Sequence, residues 1–291
     1  MRAEAAGRGG FRPRFFLEQP RVGGERLCPD SVVTLSEVDS RHARSVLRLS
    51  VGSACEVVAE DQGRVFVARV EAVSDRVAVR LDEELGRERA LYEVLLAQSA
   101  PSPPKLDLVV KKGTEVGVDG FVFFPGDAST HVTFEKLNAR LPRWERIARE
   151  AAKQSRRPRI PPVTVVAGVH EALSSLAGLR PASVGGAGVR ESGRHIVLDP
   201  GAVTSLREAL LAPDGRAGGE GTAPSQCSHG ADAVSKRIVL WVGPESGWSE
   251  SEVLDFLDLG FPVVRLGRGV LRSETAGPVA AAVVRFALGD W

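Results

Sequence analysis

The feature that most constrains the fold is a regular alternation of short apolar segments with helix-like stretches, which begins at about Glu88. Strands that alternate with helices are typical of a mostly parallel sheet covered by helices on both faces. The sequence therefore predicts an α/β domain over residues 88–291. Its expected strands are Val94–Ala97, Gly120–Phe124, Val163–Val166, His195–Leu198, Ile238–Gly243 and Val263–Leu266.

Residues 11–87 follow a different rhythm, after a Gly- and Arg-containing tail over residues 1–10 that we expect to be flexible. Short Val-rich segments separated by turn residues predict a small β-barrel. One helix, Glu37–Leu49, is expected among them, with Val38, Ala43, Val46, Leu47 and Leu49 as its apolar positions. The expected strands include Ser31–Leu35, Cys55–Ala59, Arg64–Val70 and Arg76–Leu81.

Two stretches interrupt the α/β pattern. Residues 180–193 are rich in Gly, and residues 213–236 combine Pro, Gly and Ser with little apolar content. A segment of that composition buries too little apolar surface to offset the entropy of ordering. We therefore expect residues 213–236 to form a disordered surface insertion.

Composition excludes several classes of protein. The three cysteines, Cys28, Cys55 and Cys227, lack the spacing of zinc ligands or of a disulfide framework. No apolar run reaches the roughly 18 residues that a membrane span requires. The N-terminus also lacks the apolar core of a secretion signal. We therefore expect a cytoplasmic protein with no metal and no membrane partner.

The first candidate ligand loop, Leu240–Ser249, follows a predicted buried strand. Gly243 and Gly247 would let a ligand approach the backbone closely. In open α/β sheets, ligands bind at the carboxyl ends of strands, where this loop is expected to lie. Ser249 and Glu252 have the spacing of a capping box, so Ser249 is predicted to begin a helix.

The second candidate loop, Leu266–Ala276, joins another strand to an Ala-rich helix. Ser273 or Thr275 is expected to be the N-cap of that helix. Val270 and Leu271 are apolar residues in a Gly-rich loop, and they would suit the wall of an adenine pocket. The chain has no phosphate-binding G-x-x-x-x-G-K-[ST] or G-x-G-x-x-G loop and no G-x-S-x-G turn. This disfavours an ATPase, a dinucleotide-dependent dehydrogenase or a serine hydrolase.

Basic residues are concentrated locally, although the net charge of the chain is only +1. Residues 140–159 contain eight Lys or Arg and two acidic residues. Spacings of three and four place Arg146, Arg149, Lys153 and Arg156 on one helical face. Such a face is either solvated or binds nucleic-acid phosphates. Further candidates for phosphate contacts are Arg12, Arg14, Arg41, Arg44 and Arg48.

Five motifs in register resemble the RsmE family of methyltransferases. They run in the family's order from about Phe11 to the end of the chain, and together they are far more specific than any one alone. The motifs are Arg41–Leu49, Lys112–Gly117, Glu150–Arg156, Val242–Ser249 and Leu266–Ala276.

The resemblance implies a PUA-like barrel followed by a SPOUT domain with a trefoil knot, a rare exception to unknotted chains. It implies a homodimer that methylates N3 of a uridine in small-subunit (16S) ribosomal RNA, free or in the small ribosomal subunit. The donor would be S-adenosylmethionine. The implied cofactor residues are Leu198, Gly243, Glu245, Gly247, Leu266, Gly267, Val270, Leu271 and Arg272.

Uracil N3 becomes a good nucleophile only when its proton is lost, so the site should stabilise the resulting negative charge. Arg272 is the candidate for that role, and Glu274 is a candidate for the base. The alternatives are a ribose 2′-O-methyltransferase and an RNA-binding protein without catalysis.

The chain departs from the family pattern at three places. Ser246 stands where the family has Gly, and Ser273 replaces a Thr. Pro278 falls just inside the last expected helix, where proline is tolerated only near the first turn.

Overall fold

A computed structural model describes residues 12–17, 26–60, 63–85, 92–126, 132–178, 193–211 and 236–289. The chain divides into two compact units, Met1–Arg89 with Arg149–Ile160, and Ala90–Ala148 with Pro161–Trp291. Residues 149–160, which the sequence analysis placed in the α/β domain, thus belong to the first unit.

The segments expected to be irregular fall largely outside the described residues. These are the tail at residues 1–10, the Gly-rich stretch up to residue 192, and residues 213–235. Lys236, the last residue of the predicted insertion, is instead the first residue of a strand.

The first unit contains a five-stranded sheet. Its strands are β1 (Arg14–Phe16), β2 (Val32–Thr34), β3 (Ala54–Ala59), β4 (Arg64–Val73) and β5 (Val77–Leu85), in the order β1-β3-β4-β5-β2. β1 is parallel to β3, and the other neighbours are antiparallel. No pairing joins the edge strands β1 and β2 within the described ranges, so closure into the predicted barrel stays a prediction.

Helix α1 (Glu37–Ser45) packs on this sheet and is shorter than predicted. The Ser36 side chain caps it by accepting a hydrogen bond from Asp39 N. After Ser45 the chain turns back, and Leu47 and Leu49 pack on the core. Val38 and Val46, expected to be apolar core positions, are 71% and 65% exposed. The prediction was wrong at these two positions, because Val38 lies on the exposed side of α1 and Val46 is its C-cap, where the helical spacing ends.

The second unit is built on a six-stranded, wholly parallel sheet in the order β11-β9-β10-β6-β7-β8. The predicted α/β fold with a parallel sheet is thereby confirmed. The strands are β6 (Tyr92–Ser99), β7 (Gly120–Phe124), β8 (Val163–Val165), β9 (Arg194–Leu198), β10 (Lys236–Val242) and β11 (Val263–Val264).

Seven further helices follow α1 in the described parts of the chain. They are α2 (Pro103–Glu115), α3 (Phe134–Asn138), α4 (Leu141–Gln154), α5 (Val169–Gly178), α6 (Leu206–Leu211), α7 (Glu250–Asp258) and α8 (Ser273–Ala287). None of the helices in the described ranges combines the length and apolarity that a membrane crossing requires.

The Lys112–Gly117 motif has a structural role at the end of α2. Gly117 has φ +101°, and a Cβ there would lie 2.6 Å from Arg285 Nε. The Arg285 guanidinium on α8 donates to the Gly117 carbonyl at 2.7 and 2.9 Å and to Asp119 Oδ2 at 2.5 Å. Gly117 is therefore required both by its left-handed backbone and by the approach of Arg285.

Candidate functional site

The loops that follow β9, β10 and β11 lie together at the carboxyl edge of the sheet, because these strands are neighbours. The indole Nε1 of Trp248, in the loop after β10, donates to the carbonyl of Leu198 at the end of β9 over 3.1 Å. Asp199 N donates in turn to the carbonyl of Val264 at the end of β11. The sheet order thus brings together two loops that the sequence identified separately.

Gly243 and Gly247 shape the loop after β10 in different ways. A Cβ on Gly243 would lie 3.2–3.3 Å from the Trp248 ring, so the absence of a side chain at Gly243 lets the indole pack against this backbone. Gly247 has φ +81° and open space around its Cα. Ser249 and Glu252 then form the predicted capping box at the start of α7, which is confirmed.

The loop before α8 is exposed. No atom of the described residues lies within 4 Å of where a Cβ on Gly267 would be. Val270 is 78% exposed and Leu271 is 39% exposed. Apolar side chains left open in this way fit a loop that covers a ligand or a partner.

The start of α8 differs from the prediction. Arg272, and neither Ser273 nor Thr275, is the N-cap, and its side chain makes no capping hydrogen bond. Ser273 and Glu274 are buried instead, so they cannot serve as solvent-facing caps. Pro278 lies inside the helix, beyond its first turn. Since proline has no N–H, the Glu274 carbonyl receives no helical hydrogen bond from it.

Gln98, at the end of β6, was missed by the sequence analysis and supports the first turn of α8. The side chain is fully buried, and its Nε2 donates to the Ser273 carbonyl over 3.0 Å. Gly277 allows this close packing, because a Cβ there would lie 2.8 Å from Leu96 Cδ2 and 3.3 Å from Gln98 Oε1. A buried glutamine inside an apolar strand was the signal in the sequence that could have identified it.

Several buried polar atoms around this turn have no hydrogen-bond partner within the described residues. They are Gln98 Oε1, Ser273 Oγ and Glu274 Oε2. Buried polar groups in folded proteins are nearly always satisfied, so such a cluster indicates where a ligand would bind.

Lys105, near the start of α2, links the two candidate loops. Its Nζ lies 2.5 Å from Glu245 Oε1, in the loop after β10, and 3.8 Å from Glu274 Oε2, in α8. The sequence analysis did not select Lys105, because nothing local distinguishes it from other surface lysines.

Comparison with known proteins identifies the family. The RNA methyltransferase domain profile matches residues 87–285. The ribosomal RNA small subunit methyltransferase E of Aquifex aeolicus is 30% identical over 251 residues, which cover 84% of this chain and 90% of that protein. The Bacillus subtilis protein of the same name is 26% identical over 276 residues, covering 94% and 96%.

The chain belongs to the RNA methyltransferase family. Solved structures agree with this fold. A ribosomal RNA small subunit methyltransferase E from Neisseria gonorrhoeae is 24% identical with a TM-score of 0.70, covering 96% of this chain and 98% of that one. A methyltransferase from Legionella pneumophila is 21% identical with a TM-score of 0.71 and the same coverage.

The basic residues of this methyltransferase fall into an exposed group and a buried group. Arg41, Arg44 and Arg48 are exposed, and Arg41 forms only a surface ion pair with Glu37 at 3.0 Å. Arg12 is partly buried, and Arg146 on α4 is exposed. Arg48 lies beyond the end of α1 with φ +52°, so it does not share a helical face with Arg41 and Arg44 as predicted.

Arg14 and Arg156 both form ion pairs with Glu56. The Arg14 side chain is 7% exposed, pairs with Glu56 at 2.7 Å and donates to the carbonyls of Arg156 and Arg157. Arg156 also pairs with Glu56, which is 2% exposed. We therefore withdraw Arg14 from the phosphate-binding candidates, because a buried ion pair holds it inside the first unit.

The basic face predicted on α4 is not continuous in the methyltransferase. The helix ends at Gln154, and Arg156 follows it with φ +60°. Lys153 is 15% exposed and pairs with Asp39 at 2.6 Å, and Arg149 is partly buried. Ion pairing and burial within the first unit thus explain much of the charge that the sequence suggested for RNA.

Proposed function

We propose that this RNA methyltransferase uses S-adenosylmethionine to methylate N3 of a uridine in small-subunit (16S) ribosomal RNA, in the cytoplasm. The observation that carries the proposal is the meeting of two Gly-containing loops beside a cluster of buried, unsatisfied polar atoms. Relatives named ribosomal RNA small subunit methyltransferase E support the RNA target. The Neisseria gonorrhoeae structure, which is bound to S-adenosyl methionine, supports the donor.

The residues present fit this cofactor. Val270 and Leu271 offer exposed apolar surface for an adenine ring, and the open space at Gly247 and Gly267 permits close backbone approach. When bound, the cofactor supplies an electrophilic methyl group. The residues proposed to hold it are Leu198, Gly243, Glu245, Gly247, Leu266, Gly267, Val270, Leu271 and Arg272.

The proposed catalytic residues both belong to the start of α8, where Arg272 is the N-cap and Glu274 lies in the first turn. The exposed guanidinium of Arg272 would stabilise negative charge on the uracil oxygens. Glu274, 9% exposed, would act on the N3 proton. Both groups are held by the turn that Gln98 supports.

The proposal includes a SPOUT-type knot in the second unit and a PUA-like barrel in the first. The order β11-β9-β10 and the tie between Trp248 and Leu198 support the knot. The five-stranded sheet with its packed helix α1 supports the barrel. The proposed RNA contacts are the exposed residues Arg41, Arg44, Arg48, Arg146 and Arg156 and the partly buried residues Arg12, Arg149 and Lys153.

We also propose a homodimer formed through α8. Val279, Val283 and Phe286, at i, i+4 and i+7, are 37%, 39% and 75% exposed. Leu108 of α2, which packs on α8, is 44% exposed. A row of apolar side chains along one helix face is stabilised when a partner buries it.

One experiment tests the reaction. Small-subunit RNA from a strain that lacks the protein is incubated with the purified chain and S-adenosylmethionine, and its nucleosides are analysed by mass spectrometry. We expect N3-methyluridine. A 2′-O-methylated nucleoside would establish the ribose methyltransferase instead. The absence of both cofactor binding and product would favour an RNA-binding protein without catalysis.

A further inference from the structure

The Glu274 carboxylate is incompletely satisfied. It is 9% exposed, and its Oε2 atom is buried without a hydrogen-bond donor in the described residues. Ser273 Oγ, one residue earlier, is also buried without a hydrogen-bond partner among the described residues. A buried carboxylate without donors is costly, so the functional state should supply an N–H or O–H group to this oxygen.

Lys105 compensates the charge of Glu274 without supplying that hydrogen bond. Its Nζ is 3.8 Å from Glu274 Oε2, which is an ion-pair distance but longer than a hydrogen bond. The hydrogen bond of the ammonium goes to Glu245 Oε1, 2.5 Å away. Glu245 therefore holds Lys105 beside Glu274 and leaves a lone pair of Oε2 free.

The donor that Oε2 lacks does not have to carry a charge, because the ammonium of Lys105 already lies 3.8 Å away. An imide N–H is a neutral donor of this kind. Uracil has an N3–H at this edge, whereas cytosine has an N3 lone pair that would face the carboxylate unfavourably.

We propose that Glu274 Oε2 recognises the target base by accepting a hydrogen bond from uracil N3–H, and that Lys105 is the positioning residue for this carboxylate. The inference rests on the proposed function. In the step that follows, the N3–H bond breaks, an O–H bond forms on Glu274, and the electron pair stays on N3. The same carboxylate thus selects uracil against cytosine and prepares the nucleophile.

The test compares binding of two RNAs in the presence of S-adenosylhomocysteine, so that no reaction occurs. One RNA carries the uridine that the wild-type chain methylates, and the other carries cytidine at that position. We expect the wild type to prefer uridine by about fivefold or more. Glu274→Gln should abolish or reverse the preference, because an amide can donate to cytosine N3.

Lys105→Met should also reduce the uridine preference, and it should lower the single-turnover rate by about tenfold. Cofactor affinity, measured by calorimetry, should stay within about twofold of wild type. Lys105→Arg should restore part of the uridine preference and part of the single-turnover rate, because arginine also carries a positive charge. Lys112→Met is the matched control. It removes a lysine from the same helix that pairs with Glu115, and it should change neither the uridine preference nor the single-turnover rate.

A uridine preference that is unchanged in folded Glu274→Gln would overturn the inference while leaving the methyltransferase proposal intact. So would a Lys105→Met variant that loses cofactor affinity but keeps its uridine preference, since Lys105 would then serve the cofactor. If Lys105→Met does not fold, Lys105→Gln takes its place with the same expectations. A wild-type chain that neither binds S-adenosylhomocysteine nor methylates RNA would overturn both proposals.

Discussion

The indole Nε1 of Trp248 donates a hydrogen bond to the backbone carbonyl of Leu198, 50 residues earlier, over 3.1 Å. This bond ties the loop after β10 to the end of β9. Trp248→Phe keeps the aromatic packing but removes the bond, and we expect a loss of stability of about 1 kcal/mol. Cofactor affinity should fall as well, because the loop loses its anchor.

The control for that variant is Trp144→Phe. The Trp144 indole also donates a hydrogen bond over 3.1 Å, to Asp107, but it lies on α4 and belongs to neither candidate loop. It should lose similar stability without losing cofactor affinity. Equal cofactor affinity in both variants, by calorimetry, would mean that Trp248 does not organise the pocket.

Gly117→Ala should destabilise the fold for two reasons. The left-handed backbone at Gly117 disfavours alanine, and the added Cβ would also clash with Arg285. A Cβ would lie 2.6 Å from Arg285 Nε, and Arg285 is held in place by Gly117 and Asp119. Gly260→Ala is the matched control, since Gly260 has φ +74° but open space around it. We expect Gly117→Ala to cost about 1–3 kcal/mol more than Gly260→Ala in denaturant unfolding. Equal losses would contradict the steric explanation.

Phe286→Glu should convert the proposed dimer to a monomer, because it places a charge within the apolar row on α8. Light scattering at micromolar concentration measures the mass. Leu254→Glu on α7 is the control, since Leu254 is also exposed, at 60%. A persistent dimer in Phe286→Glu, or dissociation caused by Leu254→Glu, would assign the interface elsewhere.

The double variant Arg41→Gln with Arg44→Gln should weaken RNA binding and flatten its dependence on salt. Each phosphate contact in a single-stranded RNA contributes a log–log slope of about −0.7. Losing two contacts should therefore reduce the slope by about 1.4 in titrations at several salt concentrations. Cofactor affinity should not change, because phosphate contacts position the substrate.

The control for this double variant is Arg69→Gln with Arg80→Gln. These two arginines are paired with Asp82 and Glu71 on the same sheet, so they offer less to phosphate. An equal loss of slope in both double variants would show that only the overall charge of the first unit matters.

His195 should make stability fall in mild acid. Burial, with a smaller contribution from Arg237, lowers the pKa of its imidazole from 6.5 to about 4. Between these values the unfolded chain binds more protons than the folded one, so stability is full above pH 6.5 and is lost as pH falls toward 4. The loss of folding free energy on acidification to pH 4 is on the order of 3 kcal/mol.

His195→Phe should remove this part of the pH dependence of the melting temperature, although it also leaves the Trp241 indole N–H without its acceptor, His195 Nδ1. Its stability at neutral pH should therefore be lower. His170→Phe, at a side chain that is 81% exposed, should keep the wild-type pH dependence. If the melting temperature depends on pH equally in wild type and in His195→Phe, His195 is not the cause of the loss of stability in acid.

The local pattern of the sequence predicted most of the strands, the α/β class and the two candidate loops. Strand burial, helix capping and glycine turns depend on residues close together in the chain, and for that reason Ser249 and Glu252 form the predicted capping box. Helix ends were less predictable, since α1 stops where its chain turns back to the core.

Tertiary structure alone decided which distant groups meet. Lys105 reaches Glu245 and Glu274 because the parallel sheet places β6 beside β10, a strand order that no local pattern contains. Arg14 and Arg156 are likewise held by Glu56 across more than 40 residues of sequence. The sequence could count those positive charges, but only the packed fold determines which of them already have a buried carboxylate as partner and which stay open to RNA.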